Sequence, residues 1–314
     1  CKTLNHVERP PGTDTCGTLL CFQLASLPAD NPITGTGGPL AGDPNIISSI
    51  ILGAVQGLTE FLPVSSSGHL VLAEHLFGMS KGEHSDTAAM TALNVLMHLG
   101  SLLAIVIVLR RDIIGLFWPR PNWRLMLLLI YVSIPAAAVG FGLKADKSLE
   151  AWFELNILNN PWVAACCLFL TSIILVWGQR VSRETITLEN ANKRDLWMAG
   201  LVGVAQAIAI LPGVSRSGST VATALGIGWE RGSAIRLSFL MGCIAIGGAG
   251  LLKARDITEI PAGPGIAAFA SSLVFSLIGL TLLRLVVKGR KLGWFAAYTA
   301  LAGTVALIWL FARS

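Results

Sequence analysis

An all-α polytopic membrane protein is the fold class this sequence predicts, and three observations predict it. Of 314 residues, 53% are hydrophobic and 13% charged, with mean hydropathy +0.67; soluble domains carry about 25% charged residues. The apolar residues fall in blocks near the ~20 residues that cross a bilayer. Two further apolar blocks break in the middle at polar, glycine-bearing turns that match each other. Together these predict an inverted-topology repeat. Each copy is a re-entrant helix-loop-helix followed by three transmembrane helices, giving six full spans and two re-entrant hairpins.

The helical reading follows from the solvent. Lipid offers the backbone no hydrogen-bond partner, so only helices or closed barrels cross it, and no run of alternating ten-residue strands appears. The net charge of +5 then belongs to cytoplasmic loops; no basic-aromatic patch points to nucleic acid. Six cysteines show no metal or redox spacing. Residues 1–44, rich in Pro, Gly, Thr and Asp, form a disordered N-terminal extension in this reading. Residues 45–314 form a single membrane domain, with repeat 1 over about 45–180 and repeat 2 over about 195–314.

Full spans are expected over about 87–109, 123–143, 161–178, 234–252, 264–286 and 292–311. The broken regions are about 46–77, interrupted at Pro63 to Gly68, and about 197–228, interrupted at Pro212 to Gly218. Their arms are too short to span, and irregular backbone at membrane depth is tolerated only within protein or a wet cavity. Gln56 pairs with Gln206, Val64-Ser65 with Val214-Ser215, and Ser67-Gly68 with Ser217-Gly218 at one constant offset. Three spans after each hairpin invert the second copy, an arrangement that puts a site between paired broken helices. The loops 110–124, 179–196 and 287–291 are richer in Lys and Arg than the loops alternating with them and are assigned to the cytoplasm. Trp118, Trp123, Trp152, Trp162, Trp177, Trp197 and Trp294 fall near span ends, as interfacial belts do. Pro135 is expected to kink its span.

Glu60, four residues after Gln56, is costly in hydrocarbon, on the order of 2.5–3.5 kcal/mol. It stands just before Ser65-Ser66-Ser67-Gly68-His69. The serines alone read as N-caps and His69 alone as structural. Beside a carboxylate in a wet pocket, His69 becomes a nucleophile or proton-transfer candidate; His75 reads as a surface group. In the second hairpin Arg216 follows a strongly apolar arm and needs an anionic partner. Glu60 could be that partner in a purely structural pair. Two helix N-termini, an arginine fork and Ser65, Ser67, Gly68, Ser215, Ser217, Gly218 and Thr220 together describe a phosphate cradle. Asn94, His98 and Ser101 share one helix face, where helix–helix hydrogen bonding is expected.

The runs Gln56 to His69 and Pro212 to Thr220 resemble the motifs of the bacterial undecaprenyl-diphosphate phosphatase family linked to bacitracin resistance. The similarity extends from about residue 45 to the C-terminus and includes Leu99-Gly100-Ser101 and Ile134-Pro135-Ala136. It implies hydrolysis of undecaprenyl diphosphate to undecaprenyl phosphate and inorganic phosphate, recycling the carrier lipid of cell-wall synthesis. It further implies a bacterial inner membrane location with the site facing the periplasm, a polyprenyl diphosphate substrate among membrane lipids, and a divalent metal, Mg²⁺ or Ca²⁺; a homodimer is compatible with it. By position Glu60, His69 and Arg216 are catalytic, with Ser66 the best hydroxyl nucleophile, and Glu60 and Gln56 hold the metal. Gln56 stands where many members carry Glu. Direct attack by water and attack by His69 or Ser66 all remain open at this level. The rival reading is a polyprenyl-phosphate transporter or flippase, which shares inverted repeats and an anion cradle but needs no nucleophile or base.

Overall fold

The computed structural model describes residues 45–76, 87–182, 184–252, 260–288 and 292–313. The extension expected over 1–44, Phe77, and most of the 287–291 loop lie outside them. Every described segment of length is helical, and six helices are long and apolar enough to cross a membrane.

The first broken region is α1 (Ile46–Phe61) and α2 (Ser66–Leu76). Asn45 and Ser48 close a capping box on α1, and the extended Leu62 ahead of Pro63 ends it. Next come α3 (Thr87–Val108), the short α4 (Arg110–Phe117) and α5 (Trp123–Lys144), which runs through Pro135. Asp146 caps α6 (Lys147–Phe153); the hydrogen bonds from Ser148 and Leu149 hold its carboxyl below the usual range. A π-helical turn (Glu154–Leu158) leads to Asn160, which caps α7 (Pro161–Val181) with proline in its first turn.

The second broken region is α8 (Lys193–Met198), α9 (Gly200–Ile208) and α10 (Arg216–Gly226), followed by α11 (Arg231–Leu252), α12 (Ala262–Lys288) and α13 (Leu292–Phe311). All six expected spans are present, shifted by a few residues at their ends. The short helices α4, α6 and α8 are additions to the sequence reading. One boundary is corrected: α2 begins at Ser66, inside the interruption expected over Pro63 to Gly68, because Ser65 caps it, accepting from Gly68 N at 3.3 Å. His75, expected at the surface, is half-buried with its ring edge on Trp309 at 5.5 Å.

Small residues let the broken helices sink into the bundle. A Cβ on Gly57 of α1 would stand 2.8 Å from Ser276 N of α12, and one on Gly53 3.0 Å from Ser271 Cβ. This Gly-xxx-Gly face is how helices without a hydrophobic drive approach closely. On the other side of α12, Ser101 of α3 bonds both Ser272 and Ser276 at 3.0 Å, and Ser272 donates to Met97 O at 2.6 Å. Ser101 therefore has the helix-joining role expected of it. Large apolar residues such as Leu127, Ile173, Ile266 and Leu301 are exposed on the outside, where lipid would cover them. Most of the expected belt tryptophans are exposed too; Trp162 is half-buried and meets Phe311 edge-on at 4.8 Å.

The loops gather at two ends. Arg236 pairs with Asp112 of α4 at 2.9 Å and with Glu189 at 3.3 Å, and Arg231 pairs with Glu184 at 2.9 Å. The 110–124 and 179–196 loops thus share one end. At another place the C-terminal part of α2, the N-terminal part of α3, the π turn and the C-terminal part of α11 enclose a cavity of about 280 Å³.

Candidate active site

Glu60 is the last polar residue of α1, one helical turn after Gln56, and both are buried. Its carboxylate is fully engaged. Oε1 accepts from Arg216 Nη2 at 2.8 Å, while Oε2 accepts from Ser66 Oγ at 2.6 Å and from Gln56 Nε2 at 2.9 Å. Two broken regions that are far apart in sequence therefore meet on one carboxylate, and charge-assisted bonds of this length are the strong ones. The pairing with Arg216, itself partly exposed, offsets part of the cost of burying the Glu60 charge.

Each turn is built by the same device. Ser65 Oγ accepts from Gly68 N at 3.3 Å, and Ser215 Oγ accepts from Gly218 N at 3.0 Å. Each capping serine also lies 3.3 Å from the serine two residues on, Ser67 or Ser217. Both are helix N-terminal caps, so free N–H groups and the positive dipole ends face this region. The turns touch: a Cβ on Gly68 would stand 2.8 Å from Gly213 Cα, and one on Gly218 3.1 Å from Pro63 Cβ. Ser217 Oγ donates to Leu62 O at 3.1 Å across that seam. Thr171 of α7 staples the second turn, donating to Gly213 O at 2.7 Å and accepting from Ser215 N at 2.9 Å.

The other expected residues divide by what their polar atoms do. Thr220 is fully buried, its hydroxyl committed to Arg216 O at 2.7 Å and Ser238 Oγ at 2.6 Å. The hydroxyls of Ser65 and Ser215 shape the caps, whereas Ser67 is exposed. His69 Nδ1 meets Ser65 O at 2.7 Å and its Nε2 meets Tyr298 Oη at 2.8 Å. Asn94 donates to Glu74 at 3.1 Å. His98 lies within electrostatic reach of Glu60 and also lines the 280 Å³ cavity with Glu74, Asn94, Glu154 and Asn159. Glu60, Ser66, His69 and Arg216 do not themselves line that cavity.

Two contributors escaped sequence reasoning. Tyr298 on α13 reaches His69, and a polar-tipped aromatic in mid-span, one of two tyrosines in the chain, was the available signal. Gly242 on α11 leaves room for the Arg216 guanidinium, since a Cβ there would stand 3.0 Å from Cζ; nothing in the sequence marks it.

Among the described residues no cluster of three or more His, Cys, Asp or Glu side chains could hold a metal. Mg²⁺, however, is often held by one or two carboxylates, with substrate phosphates and water completing the shell. Gln56 Oε1 is buried and has no partner, beside the Glu60 carboxylate. An oxygen pair of that kind fits a metal that arrives with a diphosphate.

The family described as bacitracin resistance protein BacA matches residues 49–305. The chain is 35% identical over 287 residues to an undecaprenyl-diphosphatase of Methanosphaera stadtmanae, covering 84% of this chain and 98% of that one. It is 38% identical over 287 residues to an undecaprenyl-diphosphatase of Desulfosudis oleivorans, covering 83% and 97%. For the undecaprenyl-diphosphatase of Geobacter sulfurreducens the figures are 34% over 284 residues, 86% and 100%. With the family model matching most of this chain and relatives aligned nearly end to end, the chain belongs to the bacitracin resistance protein BacA family.

Proposed function

We propose that this protein hydrolyses undecaprenyl diphosphate to undecaprenyl phosphate and inorganic phosphate. The observation that carries the reading is the Glu60 carboxylate, shared between a hydroxyl, Ser66, and a guanidinium, Arg216. Binding alone would need the cation. It would not need a serine held on a buried base.

The chemistry follows from the contacts. The terminal phosphate draws Arg216 from Glu60, because the fork suits a phosphate bidentately. The two capped turns offer N–H groups to the same anion. The freed carboxylate takes the Ser66 proton as Ser66 Oγ attacks the terminal phosphorus. The bond from that phosphorus to the bridging oxygen breaks, and undecaprenyl phosphate leaves. Water then cleaves the phosphoserine, giving inorganic phosphate and returning a proton to Ser66. Phosphoryl transfer of this kind relies on positioning and on stabilising spread charge, which Arg216 and the turn amides supply. Glu60 and Gln56 would hold Mg²⁺ or Ca²⁺, which would contribute by neutralising phosphate charge.

The same reading takes the broken regions as re-entrant hairpins of an inverted repeat, within a single membrane domain over 45–314. The pairing of the 110–124 and 179–196 loops through Arg236 supports one cytoplasmic end. The site then opens through the His98 cavity to the periplasmic side of the inner membrane, with the prenyl chain along lipid-facing helices. Purified protein given undecaprenyl diphosphate should release phosphate, and a chelator should suppress the release. Intact substrate after long incubation with Mg²⁺ or Ca²⁺ would remove the reading.

A further inference from the structure

We propose that Tyr298 is a positioning residue for the phosphatase reaction, holding His69 so that the Ser65 turn keeps Ser66 aimed at Glu60. The inference rests on the phosphatase reading above. It begins with the hydrogen inventory of the ring. Ser65 O can only accept, so His69 Nδ1, 2.7 Å away, carries a proton. Nε2 is then left to Tyr298 Oη at 2.8 Å, accepting from the hydroxyl when the ring is neutral. Both ring nitrogens are occupied, and the two rings lie nearly parallel, 5° apart with centroids at 5.7 Å. Imidazole and phenol form one rigid unit.

The load on that unit is the backbone of Ser65. Its φ is +71°, a left-handed conformation that costs a residue with a Cβ roughly 1–2 kcal/mol. Such backbone persists where its surroundings over-determine it. Ser65 O is gripped twice from His69, by Nδ1 and by the backbone N at 3.2 Å. The next residue is Ser66, whose hydroxyl lies 2.6 Å from Glu60. A direct line therefore runs from the phenol through the imidazole and the Ser65 carbonyl to the attacking oxygen. Tyr298 belongs to α13, outside both turn motifs. With both nitrogens engaged, His69 serves as a brace for the turn, and Tyr298 fixes the brace.

Tyr298→Phe keeps the ring stack and removes one hydroxyl. Loss of the outer partner of a metal-ligating histidine typically costs about 10–100-fold; a fall of about tenfold is expected for this brace, on kcat, with KM for undecaprenyl diphosphate within about twofold. Nitrogen-15 NMR of histidine-labelled protein, with His69 assigned by His69→Gln, reads the brace without turnover; the His69 Nε2 resonance should move in Tyr298→Phe. A wild-type kcat in Tyr298→Phe overturns the proposal, as does an unmoved His69 resonance. A fall in melting temperature accompanied by equal damage to kcat and KM overturns it too, since that marks Tyr298 as packing only. If the wild-type protein itself releases no phosphate, the phosphatase reading fails and takes this role with it. A moved His69 resonance would then record only the contact.

Discussion

The two turns, Pro63 to Gly68 and Pro212 to Gly218, share a frame and differ in cargo. In each, a serine caps the following helix through the N–H three residues on, with a second serine 3.3 Å from the first. The residue right after the cap is Ser66 in one turn and Arg216 in the other, and both side chains end on Glu60. Strain is also distributed differently. In the first turn the cap itself, Ser65, takes positive φ; in the second the cap Ser215 is at −71° and the positive value falls on Gly213. A duplicated scaffold thus presents a hydroxyl and a cation from equivalent positions. The outer contacts differ as well: Tyr298 reaches the first turn through His69, and Thr171 of α7 staples the second.

The largest effect should come from removing the shared acceptor. Glu60→Gln is expected to lower turnover by about 10³-fold, since a nucleophile and its base act as one unit, and to abolish the response to added Mg²⁺. Phosphate-release assays across a metal titration check this; an unchanged metal response would contradict the role. Arg216→Lys keeps the charge but loses the fork, so turnover should fall by about 10²-fold, with helical circular dichroism unchanged. Wild-type turnover there would mean the second turn contributes no phosphate clamp.

Gly242→Ala should displace the guanidinium, because that end of Arg216 is what an added methyl meets. A displacement near 1 Å can cost up to about 10²-fold; we expect about tenfold in kcat, with little change in melting temperature. Gly57→Ala asks about the frame rather than the site. Its methyl would meet α12 backbone, Ser276 N at 2.8 Å, and overpacking of that kind costs roughly 1–3 kcal/mol, to be read as a lowered melting temperature. The inversion itself is checked by Arg120→Cys and Lys147→Cys: an impermeant thiol reagent applied from the periplasm should label the second and spare the first.

Much of this was legible because the membrane restricts the alternatives. Lipid fixes span length, so six helices are located to within a few residues, and the cost of buried charge calls for an anionic partner at Arg216, with Glu60 as the structural alternative to a phosphate. What the sequence withheld is tertiary. α2 starts at Ser66, within the interruption expected over Pro63 to Gly68, because capping is settled by which N–H a serine reaches. α4, α6 and α8 lie at the ends of the bundle, where amphipathic turns look like polar loop. Tyr298 and Gly242 sit in spans that read as uniform grease, and their relevance depends on which helix lies opposite.

Gly68 and Gly213 meet backbone to backbone. A larger residue at position 68 would meet the Gly213 backbone, which has no side chain to shorten, whereas one at 213 would meet Ala164 and Cys167 of α7. Compensating substitution, the usual route by which two touching surfaces drift together, is closed at this point of the molecule. Ser66 and Arg216 show that equivalent positions of the two turns can carry different residues; position 68 has no such freedom.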